Sequence, residues 1–136
     1  MSAGFVHRFR VRYGECDPHG IVFNANYVAY FDLALTELWR EAFGSYQSMV
    51  DRGIDMVVAH LELDFRASAR FDDLVSMTAR IERLGTTSMT TRLELHRDEE
   101  LLIEGRIRHV FIDPKSWEKT EMPSWVKEGL EAFLDV

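Results

Sequence analysis

Asp17 stands in the segment Tyr13-Gly14-Glu15-Cys16-Asp17-Pro18-His19-Gly20-Ile21-Val22-Phe23-Asn24-Ala25-Asn26-Tyr27, directly ahead of a long amphipathic helical pattern. A carboxylate held in a Pro/Gly turn can attack an electrophilic carbon or take a proton from water. The helix N-terminus behind it offers unpaired backbone N–H donors and a partial positive charge, which stabilise an oxyanion. The plain alternative is a turn or capping aspartate, the commonest role for Asp beside Pro and Gly.

Neighbouring groups carry weaker signals. Cys16 suggests a thiol nucleophile, but no His accompanies it in a cysteine-protease spacing, and a buried structural thiol is the simpler reading. His19 is of the residue type that serves as a proton shuttle; a solvent-facing or subunit-contact position is the simpler reading. Glu15 alternates to the side of Tyr13 and reads as a neighbour of Asp17 or, more simply, as a solvated or loop residue. Glu37 reads as a second acid or, more simply, as part of a solvated helix face. His60 and His109 fall on strands and read as fillers of polar sites in the sheet. No His-x-x-Glu-His spacing occurs, so no metal site is expected.

The elements that position these groups follow from hydrophobic period. Phe5, Phe9, Val11 and Tyr13 alternate with Val6, Arg8, Arg10 and Arg12, a half-buried strand with arginines outside. Asp17 to Gly20 breaks it as a turn. From Asn26, the residues Tyr27, Tyr30, Phe31, Ala34, Leu35, Leu38, Trp39 and Ala42 follow helical spacing, with Asn24 or Asn26 as cap and Gly44 as stop. Ser45 to Arg52 predicts a further short helical turn, ended by Gly53. Val57, Ala59, Leu61, Leu63, Phe65 and Ala67 form one face of a strand. Three more strands run through Val75–Ile81, Met89–Leu95 and Ile103–Phe111, and Pro123 opens a short C-terminal helix.

Strand, long helix and four consecutive strands give an α+β fold with an antiparallel sheet, bent around the helix. The Val57 strand and the last strand are long, so an edge is expected to pair with a second copy, forming a homodimer. At 136 residues and 46% hydrophobic, the chain reads as a single domain, 1–136. A formal net charge of −7 argues against a nucleic-acid partner. One cysteine excludes an internal disulfide. Met1 to Phe9 lacks a signal peptide's apolar core and no run is long enough to span a bilayer, so a cytoplasmic protein is expected.

The Asp-Pro-x-Gly-Ile-Val-x-x-x-Asn-Tyr stretch, the helix after it, the Arg66-Ala67-Ser68-Ala69-Arg70-Phe71-Asp72-Asp73 segment and the element order resemble hotdog-fold acyl-CoA thioesterases. The 4-hydroxybenzoyl-CoA thioesterase-like group, with its Tol–Pal-associated branch, is most similar, from about Val6 to Ile112 by element order. The resemblance implies a curved antiparallel sheet wrapped around one helix and extended across a homodimer, or a tetramer of two dimers. It implies acyl-CoA as substrate, with coenzyme A entering only as part of it and no other cofactor. Asp17 takes the position of the catalytic carboxylate, and Gly20 that of the tight loop where the thioester approaches. Asn24 takes the position whose backbone N–H polarises the carbonyl. Tyr27, Ser68, Arg83, Thr87 and Ser88 are candidate substrate contacts, although core packing is the simpler reading for Tyr27.

Two positions depart from the family pattern. The Tol–Pal-associated branch usually carries His where Asn24 stands, and Asn cannot exchange a proton near neutrality. The turn Gly85-Thr86-Thr87-Ser88 lacks the basic cluster that the 4-hydroxybenzoyl branch uses for nucleotide phosphates; N–H and hydroxyl groups, or Arg83, would have to serve. The alternatives to hydrolysis are a non-catalytic acyl-CoA-binding dimer and, ranked lower, a hydratase or dehydratase acting on enoyl or 3-hydroxyacyl thioesters.

Overall fold

The computed structural model describes residues 4–135. Met1 to Ala3 and Val136 lie outside them, and with them part of the Met1–Phe9 segment and the last residue of the expected domain.

Strand β1 (Phe5–Arg10) keeps Phe5, His7 and Phe9 half-buried and turns Val6, Arg8 and Arg10 outward. It is shorter than its alternation predicts. The Val11 N–H donates to the Asp73 carbonyl and the Asp72 N–H to the Val11 carbonyl, both at 2.9 Å, so the chain leaves the sheet there. Tyr13 therefore opens a one-turn 3-10 segment, Tyr13–Glu15, and is 79% exposed.

Helix α1 (Asn26–Phe43) buries Tyr27, Tyr30, Phe31, Ala34, Leu35, Leu38 and Trp39, the face that the 3.6-residue period marks. Gly44, at φ 84°, ends it, and its N–H donates to the Arg40 carbonyl. The expected Asn cap is not formed. Ala25 occupies the N-cap, and the Asn26 amide instead donates to the Glu15 carbonyl at 2.8 Å. Helix α2 (Tyr46–Asp51) starts at Ser45, whose hydroxyl accepts from the Ser48 N–H at 3.1 Å.

Strands β2 (Asp55–Phe65), β3 (Leu74–Leu84), β4 (Ser88–Arg97) and β5 (Glu100–Ile112) follow, then helix α3 (Ser124–Leu130). All pairings are antiparallel, in the order β1-β3-β4-β5-β2. The long last strand, β5, is thus interior and not an edge; β1 and β2 are the edges. β2 stops at Phe65 because the Arg66 and Ala67 N–H groups both turn to the Leu102 carbonyl.

The face expected for β2 also needs correction. Val58 pairs with His109 and His60 with Arg108, so Ala59 is an extra, bulged residue. The bulge reverses the alternation. Met56 and Val58 share the helix side with Leu61, Leu63 and Phe65, because their partners Phe111, His109, Ile107, Gly105 and Ile103 all lie on that face. Val57 and Ala59 do not.

The helix-facing side of β3 to β5 is apolar: Val75, Met77, Ala79 and Ile81, then Met89, Leu93 and Leu95, then Ile103, Ile107 and Phe111. These form one core with α1. The opposite side is laced with ion pairs, including Arg66–Glu104 and Arg106–Glu82, both at 2.6 Å. Among the described residues no helix is long and apolar enough to cross a membrane.

Candidate active site

Residues 16–22 form a closed loop. Cys16 and Val22 bridge its neck, the Asp17 N–H donates to the Ile21 carbonyl, and the Gly20 N–H donates to the Asp17 carbonyl, both at 2.9 Å. Gly20 holds φ at 79°, a conformation that a β-carbon would strain. The His19 N–H donates to Asp17 Oδ1 at 2.8 Å, an Asx turn. The turn role leaves one carboxylate oxygen unengaged: Oδ1 locks the loop, while Oδ2 of the half-buried side chain has no hydrogen-bond partner among the described residues.

Four hydrogen bonds hold this loop and its neck against the rest of the fold. The Val22 N–H donates to the Ala69 carbonyl at 2.9 Å. The Phe23 N–H and the Asn26 amide both donate to the Glu15 carbonyl. The Tyr30 hydroxyl donates to Glu15 Oε1 at 2.9 Å. Glu15 is thus a structural hinge point and not the solvated loop residue expected. Burial raises its pKa, but the Arg12 N–H, the Tyr30 hydroxyl and the Arg12 guanidinium outweigh burial, and the carboxyl sits below its ordinary value.

Between this loop, the start of α1 and the end of β2 lies a cleft of about 260 Å³. Asp17, Asn24, Tyr27 and Ser68 line it together, with Gly20 in the adjoining turn. The Asn24 N–H, just ahead of the first helical turn, has no acceptor among the described residues. Tyr27 is both wall and anchor: its ring is 3% exposed and its oxygen accepts the Ala69 N–H at 3.1 Å. Burial pushes its phenol above the ordinary range.

Phe65, Arg66 and Ala67 complete the wall. Sequence reasoning gave them no role in a site. Their only signal was position, at the point where strand alternation stops and the Arg66–Asp73 segment begins.

Arg83, Thr87 and Ser88 are elsewhere. They flank the β3–β4 turn, whereas Asp17 lies toward the β3 start, at the opposite end of that eleven-residue strand in the same protomer. Arg83 lines a separate polar cleft with Thr86 and Lys127. Glu37 pairs with Arg40 at 3.2 Å and does not reach the Asp17 cleft. His19 is exposed, with Nδ1 at 3.5 Å from Asp17 Oδ1. Burial, and then the nearby Glu15, Asp17 and Asp73 carboxylates, raise the Cys16 thiol, which opposes thiolate chemistry. His60 is solvent-facing, contrary to expectation, while His109 is buried.

An open antiparallel sheet with one long helix across it, and a carboxylate loop at that helix's N-terminus, is the layout of a hotdog-fold thioesterase. The model of the thioesterase superfamily matches residues 19–104, and the chain belongs to that family. It is 30% identical over 115 residues to the acyl-CoA thioester hydrolase YbgC of Escherichia coli O6:H1, covering 84% of this chain and 86% of that one. A solved gentisyl-coenzyme A thioesterase is 25% identical, with a TM-score of 0.82 over 90% of this chain and 98% of that one. A thioesterase-superfamily structure from Jannaschia sp. CCS1 shares the fold, at 23% identity and a TM-score of 0.93 over 98% of this chain and 95% of that one.

Proposed function

We propose that the chain hydrolyses acyl-CoA thioesters to a free acid and coenzyme A, with Asp17 as the reacting carboxylate. The observation that carries this reading is the shared cleft of Asp17 and the unengaged Asn24 N–H. In the general-base form, Asp17 takes a proton from water, and the water oxygen bonds to the thioester carbon. The carbonyl oxygen becomes an oxyanion that accepts from the Asn24 N–H at the positive end of α1. The tetrahedral intermediate collapses, the C–S bond breaks, and the thiolate takes up the proton. In the nucleophilic form, Asp17 bonds to the carbon, the C–S bond breaks to expel the coenzyme A thiolate, and water hydrolyses the resulting anhydride to the free acid and the regenerated Asp17 carboxylate, its proton passing to the thiolate.

The working unit in this reading is a homodimer joined along β2, whose unpaired edge is long and carries Val58 at 58% exposure. Antiparallel β2–β2 pairing sets opposite ends of the two sheets side by side. Arg83, Thr87 and Ser88 then serve as coenzyme A contacts for the partner's cleft and not for their own.

The test is Asp17→Asn assayed by thiol release on aromatic and aliphatic acyl-CoAs. A loss of about 10²–10⁴-fold in kcat with an intact fold is expected; wild-type kcat/KM in that variant would overturn the mechanism. No observation favours a hydratase: the start of α1 carries Asn24 and Asn26, and no imidazole.

A further inference from the structure

A second cleft, of about 320 Å³, opens between α1 and β2 at the far end of the helix-facing side. Leu35, Met56 and Val58 make it apolar, and Thr36, Tyr46 and His109 give it polar atoms. Two of those polar groups are committed. The Thr36 hydroxyl donates to the Asp32 carbonyl at 2.9 Å, and the Tyr46 hydroxyl donates to Asp55. His109 is different. It is 5% exposed, and among the described residues neither ring nitrogen has a hydrogen-bond partner. Buried polar groups are almost always paired; Nδ1 is closed off from solvent, and Nε2 is the ring atom left open toward the cleft.

In one protomer this cleft and the Asp17 cleft are separated by the stretch from Val58 to Phe65, roughly 20 Å of strand. A small acyl group cannot touch both. Two-fold antiparallel pairing of β2 changes that. A two-fold axis near the middle of Asp55–Phe65 sets Met56 and Val58 of one strand beside the Phe65 end of the other. Both clefts lie on the helix side, because the bulge at Ala59 brings Met56 and Val58 onto the face of Phe65.

We infer that the Asp17 cleft continues into the partner's cleft and that the partner's His109 hydrogen-bonds a hydroxyl group at the far end of the acyl moiety. The inference rests on the proposed thioester hydrolysis in a β2-joined dimer. A hydroxyl fits because it can donate to or accept from Nε2, whichever tautomer the neutral imidazole adopts. Burial lowers the His109 pKa to about 4, so the ring is neutral at neutral pH. The exposed Asp32 carboxylate at the same wall repels an acyl group that ends in an anion. His109 is assigned here as a specificity residue, acting on the acyl group and not on the reacting carbon.

The test compares 4-hydroxybenzoyl-CoA with benzoyl-CoA, and 6-hydroxyhexanoyl-CoA with hexanoyl-CoA. The wild type is expected to favour the hydroxylated member of at least one pair about tenfold or more in kcat/KM, the size of one hydrogen bond left unpaired. His109→Leu should cut that ratio about tenfold, while His109→Gln, which keeps a donor and an acceptor, retains part of it. Circular dichroism and Tm establish folding. A ratio near one in the wild type, or one unmoved by His109→Leu, overturns the assignment. Mixed dimers of Asp17→Asn and His109→Leu protomers locate the contact: the one live site should show the wild-type ratio, and the His109→Leu ratio would overturn placement across the interface. If no thioester is turned over, hydrolysis itself fails. Calorimetry with thioether analogues of the same pairs then decides the His109 contact: a hydroxyl preference that His109→Leu removes supports it, and equal binding overturns it.

Discussion

The Tyr30 hydroxyl donates a 2.9 Å hydrogen bond to Glu15, so the second turn of α1 grips the residue two places before Asp17. This bond fixes the Asp17 loop relative to the helix whose N-terminus it faces. Tyr30→Phe should cost about 1.5–3 kcal/mol, since it removes one hydrogen bond to a charged group. Because the Glu15 pKa in the fold lies below its ordinary 4.5, its stabilisation is complete above that pH and is lost as pH falls through the lowered value. Denaturant titration of both proteins should therefore show a gap at pH 7 that narrows below pH 4. A constant gap would mean that the carboxylate is not the partner that matters.

Asn24 should act through its backbone. Its side chain neither caps α1 nor holds the loop, so Asn24→Ala should cost less than about tenfold in kcat. Asn24→Pro removes the N–H itself, and a lost oxyanion donor costs about 10²–10³-fold. Steady-state kinetics on one good acyl-CoA separates the two; equal losses would shift the role to the amide side chain.

Gly105 lets α1 lie close to the sheet. A β-carbon there would overlap the Glu62 carbonyl and the Phe31 ring. Gly105→Ala should cost about 1–3 kcal/mol by overpacking. Adding Phe31→Leu should recover only part, because the Glu62 backbone cannot move aside without breaking its β5 pairing. Thermal unfolding of the single and double variants measures this, and full rescue would contradict it.

Val58→Glu tests the β2 edge. Two carboxylates brought close to a two-fold interface repel, and a charge on an edge strand blocks pairing. Light scattering should show the wild type as a dimer or larger and the variant shifted to monomer, with thioesterase activity falling in parallel. A monomeric, active wild type would remove the dimer from the proposal.

The fold was legible wherever period and packing agree. The α1 face emerged intact because every buried position, from Tyr27 to Trp39, follows the helical repeat. The phase of β2 was not legible, because Ala59 looks like any other strand residue until its pairing skips it. Half of the cleft was legible as well: Asp17 and Asn24 belong to one continuous motif. Phe65 and Arg66 were hidden, since they join the wall only through the Val22–Ala69 and Arg66–Leu102 backbone bonds, which link distant segments. Tyr13 misled because its alternation with Val11 continues past the residue where the chain turns away.

The extra residue at Ala59 divides β2 into two half-strands with opposite phase. The half ending at Phe65 faces the carboxylate loop, and the half holding Met56 and Val58 faces His109. Each half answers to its own pattern of inward and outward residues. Substitutions around Met56 and Val58 therefore leave the register of the Phe65 half untouched, so the two halves can diverge as separate modules on one strand. Deleting Ala59 would fuse them into a single phase, turning Met56 and Val58 to the outer face and the charged-side neighbours Asp55 and Val57 inward.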